Sequence, residues 1–224
     1  MKQSFLAQQF YLLTLFLGVL TLSSCQAVPK SSEFSGNLKS PVIDSQMTLA
    51  EALAGVDENC FPDICKKQTL VTVTYYAFDN KLHQGQLLID QALVKDIQTI
   101  FALALTLRFP IQSVIPIAAP QFRKNKQWDD ELSMAVNNTS AFNYRVVAGS
   151  TKLSKHSYGR AIDINPLLNP YIKGNLIAPT GASYEPNKIG TLTTQHPLVQ
   201  KFLQLGWTWG GNWKSLKDYQ HFEK

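Results

Sequence analysis

Cysteine is scarce in this chain, three residues among 224. Only Cys60 and Cys65 lie close together, and no second pair exists to complete a four-thiolate metal site, which argues against a metal role for the pair. Long apolar runs are scarce too. The clearest, Phe10 to Leu22, is too short and too near the N-terminus for a membrane span. Basic clustering is limited to Arg123, Lys124 and Lys126, without interleaved aromatic rings for base stacking, which argues against nucleic-acid binding. The net charge of +5 and pI of 9.0 fit work beside an anionic wall or membrane equally well. Charged residues make up 17% and hydrophobic ones 45%, a balance without overall disordered bias that suits one domain plus a tail.

Residues 1–25 read as an export leader. Lys2 supplies a positive start, Phe10 to Leu22 the apolar stretch, and Leu22-Ser23-Ser24-Cys25 resembles a bacterial lipobox, whose cysteine is lipidated and becomes the new N-terminus. Gln26 follows, where Asp would retain such a lipoprotein at the inner membrane, so a Gram-negative host would place it at the outer membrane. Residues 26–57 read as a flexible tether: Gln26 to Asn37 are rich in Ser, Pro and Lys and poor in large apolar side chains. Within it Met47 to Ala54 can form one or two helical turns, with Thr48 and Glu51 as a capping box. The domain proper is expected over 58–224. In an oxidising compartment Cys60 and Cys65 should close a small disulfide loop.

Leu70 to Phe78 and Leu82 to Ile89, separated by Asp79-Asn80, predict a β-hairpin, with His83 as a cross-strand partner rather than a ligand. Asp90 to Leu107 carries Leu93, Ile97, Ile100, Phe101, Ala104 and Leu105 at helical spacing, and Phe109-Pro110 ends the helix. Gln112 to Ile117 and Asn143 to Val147 are expected strands, and Phe122 to Ser133 a solvated loop or short helix. Lys173 to Thr191 is a long, loop-rich stretch that suits a groove rim. Thr193 or Thr194 should cap a helix with Pro197 in its first turn, stopped by Gly206, and His196 at its start reads as a surface residue.

The chemistry concentrates in Lys152 to Pro166, read as a loop leading into a strand over Ala161 to Ile164. Alternation puts Ile162 and Ile164 on one face and Asp163 on the other, towards a cleft that His156 also reaches. An imidazole and a carboxylate make two ligands of a catalytic zinc site, which takes three plus an open position. His221 near the C-terminus is the candidate third, and Asp218, three residues earlier, could serve as a general base beside it.

These two segments, with Asn137 to Arg145 upstream and Asn165 to Tyr171 downstream, resemble the zinc peptidases of family M15, over roughly 71–224. That family contains D-Ala-D-Ala carboxypeptidases and dipeptidases and L-Ala-D-Glu endopeptidases. The resemblance implies an α+β domain, a small antiparallel sheet with flanking helices, of DD-peptidase/hedgehog-like type. It implies one Zn²⁺ on His156, Asp163 and His221, Asp218 as base then acid, and Arg145 as oxyanion stabiliser. An ion pair between Arg145 and the Asp129-Asp130-Glu131 run is the alternative. It also implies peptidoglycan stem peptides as substrates; no cofactor beyond the metal is indicated, and a monomer is expected. A His₂Asp set does not exclude Fe²⁺, Ni²⁺ or Co²⁺. Ser154, Tyr158 and Trp209 are candidate substrate contacts or loop-shaping groups. Trp207, Trp209 and Trp213 around Gly210-Gly211 offer a sugar platform as a second reading to core and cleft wall. One departure stands out: the D-Ala-D-Ala dipeptidases linked to vancomycin resistance use Glu where this chain has Asp218, and the shorter Asp resembles the endopeptidase-like branch. A zinc-stabilised, catalytically inactive wall-binding lipoprotein is the alternative from another functional class.

Overall fold

The structure is a computed structural model that describes residues 36–37, 39–56 and 60–224. The expected leader with Cys25, and the tether up to residue 35, lie outside the described residues. In chain order the elements are β1 (Val42–Ile43), α1 (Leu49–Leu53), α2 (Pro62–Cys65), β2 (Gln68–Tyr76), β3 (Leu82–Asp90) and α3 (Val94–Thr106). They continue with β4 (Ser113–Val114), β5 (Arg123–Lys124), β6 (Gln127–Trp128), α4 (Asp130–Ala135), β7 (Asn138–Thr139), β8 (Ala161–Asp163), β9 (Tyr171–Lys173) and β10 (Leu176–Ala178). The last are α5 (Pro197–Gln204), β11 (Thr208–Trp209), β12 (Lys217–Asp218) and β13 (His221–Glu223). The architecture is mixed α+β, with short strands in several small sheets.

The expected hairpin is the scaffold. β2 and β3 pair antiparallel from Gln68↔Asp90 to Tyr76↔Leu82, and α3 packs on β2 through buried Ile97, Ile100, Phe101 and Ala104. Each large member of that stripe contributes about 1.5–3 kcal/mol on burial, which outweighs the weak intrinsic stability of a helix this short. The helix gives way at Arg108, which adopts φ +50°, just before Phe109-Pro110. His83 is structural, as expected: it lies opposite Tyr75, and Nδ1 contacts the Asp44 carboxylate at 2.9 Å while Nε2 contacts Asp79 at 3.2 Å.

A second sheet, ordered β11-β13-β8, and a third, β10-β9-β12, carry the C-terminal segment. Phe222 of β13 is fully buried and stacks on Phe202 of α5 with ring centroids 3.8 Å apart. That contact ties the last strand to the same core as β2 and α3.

Several sequence expectations need correction. The sheets are not purely antiparallel, because β1 runs parallel to β3 and β4 parallel to β7. The described part of the tether, 39–56, is packed rather than loose. β1 joins the hairpin sheet, Ser45 and the Met47 backbone bond to the Gln86 side chain, and Ala52 is buried against Leu88 and Phe142. The boundary at 57/58 therefore does not mark where folded structure begins. The capping box on Thr48 and Glu51 forms as read.

The 112–117 strand shrinks to Ser113–Val114. The 143–147 strand reduces to an isolated bridge, Val146↔Leu153, and the Ser157 hydroxyl accepts from the Arg145 N–H at 2.8 Å and donates to the Arg145 carbonyl at 2.6 Å. The 122–133 stretch holds the β5–β6 hairpin and the start of α4. His196, not a threonine, is the N-cap of α5: its Nδ1 accepts from Leu198 N–H, its ring meets Phe109 edge-on, and burial lowers its pKa. Cys60 and Cys65 are joined in a disulfide.

Candidate metal centre

His156 sits in a 3-10 turn, Lys155–Tyr158, whose N-cap is Ser154. The turn is anchored to the hairpin scaffold. Gln68 donates from Nε2 to the Tyr158 carbonyl at 3.1 Å, and the Asp90 N–H donates to the Gly159 carbonyl at 3.0 Å. Gly159 is required on two counts. Its φ is +64°, and a Cβ there would lie 2.0 Å from Gln68 Oε1 and 2.6 Å from Asp90 N, so the loop can approach the hairpin only through a residue without a side chain.

Asp163 and His221 face each other as a register pair on neighbouring strands β8 and β13. Antiparallel neighbours place such side chains close together, and the 3-10 turn delivers His156 to the same point. His156 Nε2 lies 3.1 Å from His221 Nδ1 and 3.2 Å from Asp163 Oδ2, and His221 Nδ1 lies 3.0 Å from Asp163 Oδ1. All three side chains are buried, and their ligand atoms fall within 4.8 Å of one another.

The outer ring nitrogens decide what those inner atoms are. His156 Nδ1 faces the Ala141 carbonyl at 2.6 Å, and His221 Nε2 faces the Glu223 carboxylate at 3.1 Å. Each outer nitrogen meets an acceptor, so a neutral ring that keeps its proton there turns the lone pair of His156 Nε2 or His221 Nδ1 inward. Two imidazole lone pairs and a carboxylate converging on one point need a cation or a proton between them. The donor set is that of a catalytic zinc site, and the outer acceptors match how metal-bound histidines are held. The residues fit a divalent cation.

The electrostatics express the same crowding. Burial alone would raise the Asp163 carboxyl, but the imidazoles, His156 foremost, hold it well below the usual carboxylate range. Burial alone would lower His221, but hydrogen bonds to Asp163 and Glu223 push it up to about 10. On β12, burial first and the negative charge of Asp163 second push the Asp218 carboxyl up to about 7. Its Oδ1 is buried and has no hydrogen-bond partner among the described residues. Gly210 makes room for it: a Cβ there would lie 2.4 Å from the Asp218 carbonyl oxygen and 2.7 Å from its Cβ.

The structure thus brings His156, Asp163 and His221 together, with Asp218 within electrostatic reach of all three. Arg145 stands differently. Its guanidinium pairs with Asp130 at 2.9 Å, the ion-pair alternative, on the wall of a cleft of about 850 Å³ that also includes Trp128, Asn143 and Tyr144. Two substrate contacts need correction. Ser154 is buried and its hydroxyl caps the turn by accepting from the His156 N–H. Trp209 is 1% exposed, donates to the Tyr219 carbonyl and packs on Phe222, so it offers no face to a sugar or peptide. Tyr158 is exposed. Trp213, half-buried with its ring 5.5 Å from that of His221, is the tryptophan at the site. Glu223 went unread in the sequence, although its place two residues beyond His221 on a strand puts both on one face.

A buried two-histidine, one-carboxylate cluster with a further carboxyl of raised pKa beside it is an arrangement that could hold a metal ion. Residues 148–224, about a third of the chain, match the M15 peptidase family model described as D-alanyl-D-alanine carboxypeptidase. The peptidases of this family are metal dependent. The match holds His156, Asp163, Asp218 and His221, while Arg145 precedes it. Neither the curated proteins nor the solved structures include a match to the chain.

Proposed function

We propose that this protein is a zinc peptidase that hydrolyses peptide bonds in peptidoglycan stem peptides, as a D,D-carboxypeptidase or an L-Ala-D-Glu-type endopeptidase, on a DD-peptidase/hedgehog-like domain. The observation that carries this reading is the convergence of His156 Nε2, His221 Nδ1 and the Asp163 carboxylate within 4.8 Å, with Asp218 beside them. When bound there, Zn²⁺ supplies the Lewis acidity that acidifies water and polarises a carbonyl. Asp218 takes the proton of the attacking water and returns it to the leaving amine, acting as base and then acid. In the metal-free site, burial and the charge of Asp163 raise the Asp218 pKa. Gly210 allows the close approach of β12, which pairs with β9 at Asp218↔Tyr171.

Arg145 pairs with Asp130 and would stabilise the oxyanion by turning from that carboxylate. Export and a lipid anchor at Cys25 belong to the same proposal, since they would bring a monomeric domain to the wall. Mass spectrometry of purified penta- and tetrapeptide muropeptides incubated with the zinc-loaded protein tests the reaction. Loss of one terminal alanine from the pentapeptide defines a carboxypeptidase, and release of a peptide starting with D-Glu defines an endopeptidase. Intact substrates with one zinc bound per chain would contradict the peptidase reading and favour the wall-binding one.

A further inference from the structure

We propose that Glu223 is a positioning residue for His221, and that its carboxylate selects the imidazole tautomer that can bind a metal. The inference rests on the reading of His156, Asp163 and His221 as a cation site.

His221 Nδ1 lies 3.0 Å from Asp163 Oδ1, and Nε2 lies 3.1 Å from Glu223 Oε2. A neutral imidazole has one ring proton, and these two carboxylates compete for it. If Asp163 wins, Nδ1 carries the proton, the pair becomes an ordinary histidine–aspartate hydrogen bond, and no lone pair points to the centre. If Glu223 wins, Nδ1 presents its lone pair beside His156 Nε2. At His156 the contest is between Asp163 Oδ2, 3.2 Å from Nε2, and the nearer Ala141 carbonyl, 2.6 Å from Nδ1, a backbone acceptor that cannot titrate or leave.

The strand enforces the arrangement. On β13 the side chains alternate, and Phe222 is fully buried between Phe202 and Trp209, so His221 and Glu223 both emerge on the opposite face. Glu223 meets the far side of the ring, which places it behind the ligand and not among the ligands. The Glu223 side chain is 29% exposed, so solvent admits a substitution there without opening the core. A carboxylate behind a metal-bound histidine also makes that ligand more basic.

The test uses the full chain with Zn²⁺ alone as probe, comparing Glu223→Ala and Glu223→Gln with the unaltered protein. Chelator competition should show zinc binding weakened about 10- to 100-fold by Glu223→Ala. Glu223→Gln should fall between the two, because its amide oxygen can still accept the Nε2 proton. In the zinc-loaded protein the His221 Nε2–H proton resonance should be low-field and slow to exchange, and should lose both properties in Glu223→Ala. The isosteric Gln variant and the melting temperature of each metal-free protein separate this effect from misfolding. Zinc affinity of Glu223→Ala within twofold of the unaltered chain would overturn the proposal. An unaltered chain that binds no zinc would overturn the cation site itself, and the proposal with it.

Discussion

The His221 imidazole holds two carboxylates apart and faces a second imidazole, and its titration links the cluster to metal binding. With its pKa pushed up to about 10 by Asp163 and Glu223, the metal-free ring carries a proton at neutral pH that a cation must displace. Apparent zinc affinity should therefore rise about tenfold per pH unit from neutrality towards pH 9. Chelator competition across that range measures it, and a flat profile would contradict the proton-for-metal exchange. Asp218 shows the opposite linkage. An unfolded aspartate titrates near ~3.9, whereas the folded, metal-free carboxyl titrates at about 7. Between those values the folded state binds more protons, so Asp218 costs increasing stability as pH rises from about 4 to about 7 and a constant amount above. Asp218→Asn should raise the melting temperature of the metal-free protein at pH 8, by about 2–4 °C per kcal/mol relieved, and leave it unchanged near pH 4. An unchanged melting temperature at pH 8 would mean that Asp218 is ordinary and solvated.

At the scale of elements, the site is built where three pieces meet: the 3-10 turn of His156, the β8–β13 pair, and β12. The turn depends on Gly159. Gly159→Ala should destabilise the protein by more than about 1 kcal/mol and weaken zinc binding as the turn backs away from Gln68 and Asp90. Thermal unfolding and zinc titration check the two effects together, and an unperturbed variant would show that the close approach is dispensable. Strong local patterns were legible in the sequence. The β2–β3 hairpin and α3 follow from alternation and helical spacing, and the ligand trio from the loop and strand around His156 and Asp163. What escaped reading depended on long-range contacts without local signal. β1 pairs with a strand some forty residues away, and Ala52 is too small to advertise its burial. The 143–147 stretch keeps only an isolated bridge to Leu153, a pairing without a local signal. Trp209 takes the first of its two readings, core, over the sugar platform, a choice that composition leaves open and packing on Phe222 makes.

For the whole molecule, the chemistry and the scaffold come from different parts of the chain. The M15 match over 148–224 contains every proposed ligand and the proposed base, whereas the groups that hold the His156 turn and ring, Gln68, Asp90 and the Ala141 carbonyl, precede it. The site was therefore readable as a motif, but the reason it is rigid was not, since that lies in contacts between distant segments. The most direct test of the account is turnover of a pentapeptide muropeptide by the unaltered chain and Asp218→Asn at equal zinc content. The account predicts full zinc occupancy in both and a loss of turnover of about 10²- to 10⁴-fold in the variant. Turnover retained by Asp218→Asn at full zinc occupancy would remove Asp218 from the mechanism and contradict the reaction proposed here.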